Sequence, residues 1–276
     1  MKKKRRIKKR PVIILIVVLL LISFVFYKII SKQKNILEEP NEELNNEVIN
    51  EPIEEQKKSP LEMSLEEFTL EGYFEDTVLS VGSVDDDYMS NIVYAGDSVA
   101  LYYTINKINK LAVWHQISIN PLTAQTCKVW VNSVKEYNSF VELFKEKKPE
   151  IVIMTLGTNG VATMNKDYFI EQYEAFLKSL IAVSPDTKII VQSIPPVPIE
   201  RDLEGKSLNN KKINEFNYYI AQMCERIGLK FLFSANSMKD ENGGCKEGYC
   251  TVDLHPSKEG NDALYEYAKN HLGSIK

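Results

Sequence analysis

The chain has 276 residues, with 34 Lys and Arg against 38 Asp and Glu, for a formal charge of −4. This length exceeds one small domain and falls short of two large ones. The averaged charge hides two opposed segments, so it neither favours nor excludes a polyanionic partner. The first ten residues, MKKKRRIKKR, are basic, whereas residues 38–55 are almost wholly acidic and polar.

Alone, the basic run reads as a nucleic-acid arm. Directly before an apolar run it reads as a membrane flank, and no nucleic-acid partner is expected. Residues 1–11 are therefore expected to be a basic cytoplasmic tail. Residues 12–27, VIILIVVLLLISFVFY, carry no charge. With their neighbours they make a span at 12–30, and about 20 residues rising 1.5 Å each cross a hydrocarbon core of about 30 Å. A cleaved secretory signal has a shorter apolar core and a small-x-small site. The sequence YKIISKQ (27–33) offers no such site. The run is expected to be an uncleaved signal anchor, with the N-terminus cytoplasmic by the positive-inside bias. The protein is then single-pass in the cell membrane, with everything after Ile30 extracytoplasmic.

Residues 31–65 are rich in Glu, Asn and Pro, with sparse, aperiodic apolar positions. Such a segment buries too little surface to offset its conformational entropy, and a disordered acidic stalk is expected. The domain is placed at 66–276, with the more aromatic stretch 66–90 as a lead-in packed on its edge. From Asn91 short apolar runs alternate with longer amphipathic ones. Strands are expected at 92–96, 111–117, 151–156, 188–194 and 230–234. Helices are expected at 99–110, 122–147, 165–183, 208–227 and 257–272. Pro121 lies near a helix start, and Ser184-Pro185-Asp186 breaks a helix from the next strand. The alternation implies right-handed crossovers and a parallel sheet covered on both faces.

In such a sheet, ligands bind beyond the C-terminal ends of the strands. After the first run comes Gly96-Asp97-Ser98-Val99, and after the third Gly157-Thr158-Asn159-Gly160. Just before the last helix comes Asp253-Leu254-His255-Pro256. A serine hydroxyl needs a base to take its proton, and His255 has the right chemistry. The oxyanion of an attacked carbonyl needs fixed donors. Ser98 opens a helix, so its backbone N–H lacks an intrahelical acceptor, and Asn159 adds a side-chain amide. Each motif alone also suits an ordinary turn or cap. Their order, each at the proper end of its element, is what points to nucleophilic catalysis.

Through AGDSV (95–99), LGTNG (156–160) and DLHPSKEG (253–260), the chain resembles the SGNH hydrolase (GDSL-like lipase/acylhydrolase) family over roughly residues 91–272. The resemblance implies a three-layer α/β/α sandwich with a flavodoxin-like five-stranded parallel sheet. It implies Ser98 as nucleophile and oxyanion donor, Asn159 as a further oxyanion donor, His255 as base, and no metal or organic cofactor. Two positions depart from the family pattern. The acid usually stands three residues before the histidine, where this chain has Val252. Asp253, two residues before, takes its place, or else Ser98 and His255 act as a dyad. The second-block glycine is missing from QISINPLTAQ (116–125), and Ser118 is assigned its place, donating a backbone N–H.

His115, beside Trp114 in a strand run, reads as a satisfied polar residue at the sheet end, and His271 needs no role. The histidines and cysteines show no metal-ligand spacing, and no metal is expected. Cys245 and Cys250 form either a disulfide near His255 or two free thiols. Cys127 and Cys224 read as small core residues.

Three functions fit these residues. The first is an esterase that removes acyl groups, acetyl first, from a cell-envelope or extracellular glycan, or from another small ester. The second is an O-acyltransferase on cell-wall glycan. Related acyltransferases receive their acyl groups from a multi-span membrane partner, and this chain has one expected span. The third is a non-catalytic glycan-binding module.

Overall fold

The computed structural model describes residues 58–108, 111–252 and 254–275. In it the short apolar runs form strands because both of their faces are covered. β1 (Ile92–Gly96) and β5 (Ile151–Thr155) are buried along their whole length. Alternate residues of a strand face opposite ways. Val93 and Ala95 accordingly join one core, with Val152, Met154, Phe176 and Ile220. Ile92 and Tyr94 join the other, with Ile153, Tyr103 and Leu264.

The sheet order is β4-β3-β2-β1-β5-β6-β7. β2 (Ala112–His115), β1, β5, β6 (Lys188–Gln192) and β7 (Lys230–Leu232) run parallel. Counted alone, these five have the flavodoxin-like order 2-1-3-4-5, whose switch point lies between β1 and β5. They correspond to the five strands expected from sequence. The sheet nevertheless has seven strands, because the helix expected over 122–147 does not form. That stretch holds a one-turn helix α3 (Pro121–Ala124), a hairpin of β3 (Lys128–Val131) and β4 (Glu136–Ser139), and a helix α4 (Phe140–Lys147). Burial alternates along Lys128-Val129-Trp130-Val131, and its last three residues are β-branched or aromatic, which suits a strand. β3 pairs antiparallel with β2, and Trp130 meets Tyr137 across the hairpin at 5.0 Å. Ser139 then starts α4 with a capping box to Glu142.

Before β1 stands α1 (Asp86–Ser90), and after it α2 (Ser98–Ile105). α5 (Thr158–Thr163) and α6 (Lys166–Val183) come after β5, and α7 (Glu200–Leu203) and α8 (Asn210–Ile227) after β6. α9 (Lys258–Lys269) closes the domain. The lead-in covers the outer edge of β7: Phe231 N–H donates to the Thr77 carbonyl at 2.8 Å, and Leu79 N–H to that of Phe231 at 2.9 Å. Pairing an edge in this way removes a template for strand addition. Residues 58–65, given to the stalk by sequence, include a 3₁₀ turn at Pro60–Glu62 with Pro60 buried. The basic tail, the apolar run 12–30 and the stalk up to residue 57 lie outside the described residues. Among the described residues, no helix is long and apolar enough to cross a membrane.

Candidate active site

The ends of three central strands are level. Gly96 is paired with His115 of β2 and with Thr155 of β5. The turns leaving these strands therefore meet at one edge of the sheet. A side chain at Gly96 is excluded, since a Cβ there would lie 1.9 Å from the Thr155 carbonyl oxygen. At Gly157 a Cβ would lie 2.6 Å from the Ile194 side chain.

Asp97 caps α2 and ties two of the turns together. One carboxylate oxygen accepts the Val99 N–H at 2.9 Å and the other the Gly157 N–H at 3.2 Å. The carboxyl is fully buried. Burial pushes its pKa up to about 6, against the opposing pull of those two N–H donors and of the nearby His255. Ser98 is thereby held as the first residue of α2. Its backbone N–H lies in the first turn, where a helix supplies no acceptor.

Asn159 is the second residue of α5. Its Nδ2 donates to the Ile119 carbonyl at 3.0 Å. An amide nitrogen carries two hydrogens, so a second donor remains for a ligand. The same bond fastens one end of the loop after β2. The other end is fastened by Gln116 N–H, which donates to the Gly96 carbonyl at 3.1 Å. Between them Ser118 is exposed, with φ at +61°. That is a conformation glycine takes freely and other residues rarely adopt.

His255 sits in a loop clasped from several sides. Thr251 N–H donates to the His255 carbonyl at 2.8 Å, and the His255 N–H donates to the Thr251 hydroxyl at 3.1 Å. Leu254 turns the chain with φ at +70°. Cys245 and Cys250 are joined as a disulfide, and Cys250 bridges in antiparallel fashion to Pro256. The imidazole lies flat on the Tyr102 ring, with centroids 4.4 Å apart and planes 6° from parallel. Asn106 Nδ2 donates to the Pro256 carbonyl at 3.2 Å. Sequence reasoning missed both Tyr102 and Asn106. Their spacing from Ser98, four and eight residues along one helix, is the signal that finds them.

Ser98, Ser118, Asn159 and His255 thus belong to turns at the same sheet edge. Asp253 lies outside the described residues. Val252, at the family's usual acid position, is fully solvent-exposed and has no group to offer the imidazole. His115 departs from expectation: its Nδ1 is buried with no hydrogen-bond partner among the described residues, and burial lowers its pKa. His271 Nδ1 lies 2.7 Å from the Tyr267 carbonyl, with its ring stacked on Tyr267. Cys224 is buried in α8, while Cys127 is partly exposed between α3 and β3. Among the described residues no three His, Cys, Asp or Glu side chains are grouped to hold a metal. A crevice of only about 10 Å³ lies beside the turn, lined by Asp97, Val99, Gly157, Thr158, Ser193 and Ile194. A larger hollow of about 500 Å³ lies at the opposite edge, where Lys188 and Lys230 begin β6 and β7.

No curated protein matches this chain in sequence. Among solved structures, a Streptococcus pneumonia protein provisionally named a platelet activating factor is 21% identical with a TM-score of 0.52, over 66% of this chain and 83% of that one. A GDSL-like lipase from Bacteroides thetaiotaomicron is 19% identical with a TM-score of 0.48, over 67% and 88% of the two chains. A carbohydrate esterase family 3 protein from Talaromyces cellulolyticus is 16% identical with a TM-score of 0.45, over 66% and 95%. The model of the GDSL-like lipase/acylhydrolase family matches residues 124–263, which include Asn159 and His255, while Ser98 precedes the match. With that match over half its length and a flavodoxin-like sheet beneath it, the chain belongs to the GDSL-like lipase/acylhydrolase (SGNH hydrolase) family and is a serine ester hydrolase.

Proposed function

We propose that this hydrolase removes acetyl groups from a glycan of the cell envelope, through an acyl-enzyme on Ser98, from a domain held outside the membrane by residues 12–30. The observation that carries the catalytic reading is the His255 imidazole stacked on Tyr102, one turn along the helix that Ser98 begins. That arrangement supports the reading of His255 as base, since Ser98 and Tyr102 share one face of the helix.

In the proposed reaction His255 takes the Ser98 hydroxyl proton as Oγ bonds to the ester carbonyl carbon. The carbonyl oxygen becomes an oxyanion. The backbone N–H groups of Ser98 and Ser118 and the second Nδ2 hydrogen of Asn159 are its donors. The carbon–oxygen bond to the glycan then breaks, and the leaving oxygen takes the proton from His255. Water attacks the acyl-Ser98 carbonyl, giving its proton to His255. Collapse releases the carboxylic acid and returns the proton to Ser98. Asp253 is proposed to orient the imidazole.

The basic flank of the 12–30 run favours an extracytoplasmic domain, as does the Cys245–Cys250 disulfide, since such bonds persist in oxidising compartments. Acetate release from an acetylated envelope glycan by the full chain in detergent tests the activity. Ser98→Ala abolishes it, and a phosphonate ester labels Ser98 alone. Full activity in the variant, or labelling elsewhere, overturns the assignment. Protease added to intact cells is expected to cut the stalk. Cleavage only after permeabilisation overturns the topology.

A further inference from the structure

We propose that α2 is the positioning element for the catalytic base as well as the mount of the nucleophile: the Tyr102 ring is the platform on which the His255 imidazole is aligned, and Asn106 anchors the chain just beyond it. This inference rests on the catalytic reading of Ser98 and His255.

Residues at i, i+4 and i+8 lie along one face of a helix. On α2 and its C-cap these are Ser98, Tyr102 and Asn106. All three are partly exposed, unlike their neighbours Val99, Ala100 and Tyr103, which are buried in the core. The contrast between the adjacent tyrosines is informative. Tyr103 turns inward, 4.3 Å from the Tyr94 ring, whereas Tyr102 turns toward the histidine loop. The loop lies along this stripe with two fastenings: the ring stack at His255 and the bond from Asn106 to the next residue's carbonyl.

The stack has chemical consequences that a simple packing contact lacks. A flat imidazole 4.4 Å from a parallel ring cannot tilt without losing the contact, so its plane is fixed relative to the helix bearing Ser98. A general base needs such alignment, since small misplacements of a reacting group cost large factors in rate. The aromatic face also favours the cation that the imidazole becomes when it holds the Ser98 proton. The tyrosine hydroxyl is not needed for either effect, so phenylalanine is expected to suffice and an aliphatic side chain to fail.

The test compares Tyr102→Phe, Tyr102→Leu and Asn106→Ala with wild type, all as full chain in detergent, on a chromogenic acetyl ester. Tyr102→Leu is expected to lower kcat by about 10- to 100-fold with KM within about twofold. Tyr102→Phe is expected to stay within about twofold of wild type, and Asn106→Ala to fall between the two. A second readout is independent of turnover. The imidazole ring protons of His255, assigned by comparison with His255→Gln, are expected to show an upfield ring-current shift in wild type and Tyr102→Phe that Tyr102→Leu loses. Wild-type kcat in Tyr102→Leu overturns the inference, as does an equal loss in Tyr102→Phe, or a His255 resonance that ignores the aromatic ring. If wild type turns over no ester at all, the functional reading falls, and the resonances alone decide whether α2 aligns the imidazole.

Discussion

The carboxylate of Asp97 joins the turn that presents Ser98 to the turn that presents Asn159, because its second oxygen accepts the Gly157 N–H at 3.2 Å. A buried acid in this place has a consequence for stability. Its pKa is raised from 3.8 to about 6, first by burial. The folded state therefore binds the proton more tightly than the unfolded state. Stability from this group is present at low pH and declines as pH rises through the window from about 4 to 6. At 1.36 kcal/mol per unit, the decline is on the order of 3 kcal/mol. Asp97→Asn is expected to abolish it. Denaturant unfolding of wild type and variant across pH 4–7 gives the difference, in which the contributions of exposed carboxylates cancel. Parallel curves would show that Asp97 does not titrate there. The variant also turns an amide N–H₂ against one of two N–H donors, so kcat is expected to fall as the Asn159 turn loosens.

The parallel part of this fold was legible because β1, β5 and β6 are buried on both faces, and such strands read as continuous apolar runs between helix signals. The β3–β4 hairpin was not. Its strands are only four residues long, and its neighbours Pro121–Ala124 and Phe140–Lys147 are real helices, so the window averaged to a helix. Glycine, serine and asparagine at strand ends were readable as chemistry because turn geometry leaves few residue choices there. Tyr102 and Asn106 were not, since an aromatic on a helix is ordinarily core. Only the return of His255 and Pro256 to that helix, a contact more than 140 positions away in sequence, gives them a role.

Asn159→Ala is expected to lower kcat by about 10²–10³-fold, the usual loss of one oxyanion donor. The structure adds a second effect. The Nδ2 bond to the Ile119 carbonyl also disappears, freeing the loop that carries the Ser118 N–H. Two donors are then disturbed by one substitution. A double variant with Ser118→Gly is expected to show less than the product of the single effects. A change confined to KM would mean that Asn159 binds substrate without stabilising the transition state.

The Cys245–Cys250 bridge closes a loop with a sequence separation of 5. For so short a loop, chain entropy assigns about 2 kcal/mol of stability. Its position makes the effect on activity larger than the effect on folding. Cys250 adjoins Thr251, which clasps His255, and pairs with Pro256 on its other side. Replacing both cysteines with serine is expected to lower Tm by a few degrees and kcat by about tenfold. Thermal unfolding and turnover, each with and without reductant, separate the two. Wild type in reductant is expected to approach the variant, and the variant to ignore reductant. A reductant-insensitive wild type with normal kcat in the variant would show that the bridge has no part in holding His255.

The acid that supports His255 is the position where sequence and family pattern disagree. Val252 faces solvent and is apolar, which leaves Asp253 as the expected partner. Thr251 N–H reaches the His255 carbonyl at 2.8 Å, and Leu254 N–H reaches the Thr251 carbonyl at 3.0 Å. Leu254 itself turns the chain just before His255, with φ at +70°. Asp253 is proposed as the carboxylate that orients the His255 imidazole. Such a carboxylate fixes the tautomer and steadies the imidazolium without touching substrate. Asp253→Asn is therefore expected to lower kcat by about 10- to 100-fold, less than Ser98→Ala, with KM nearly unchanged. The loss is expected to be less than additive with Tyr102→Leu, because both residues act on the orientation of one ring. Steady-state kinetics of the two single variants and the double variant make the comparison. An unchanged kcat in Asp253→Asn would leave Ser98 and His255 as a dyad held by the helix stripe alone, and full additivity would show that Asp253 acts elsewhere than on the ring.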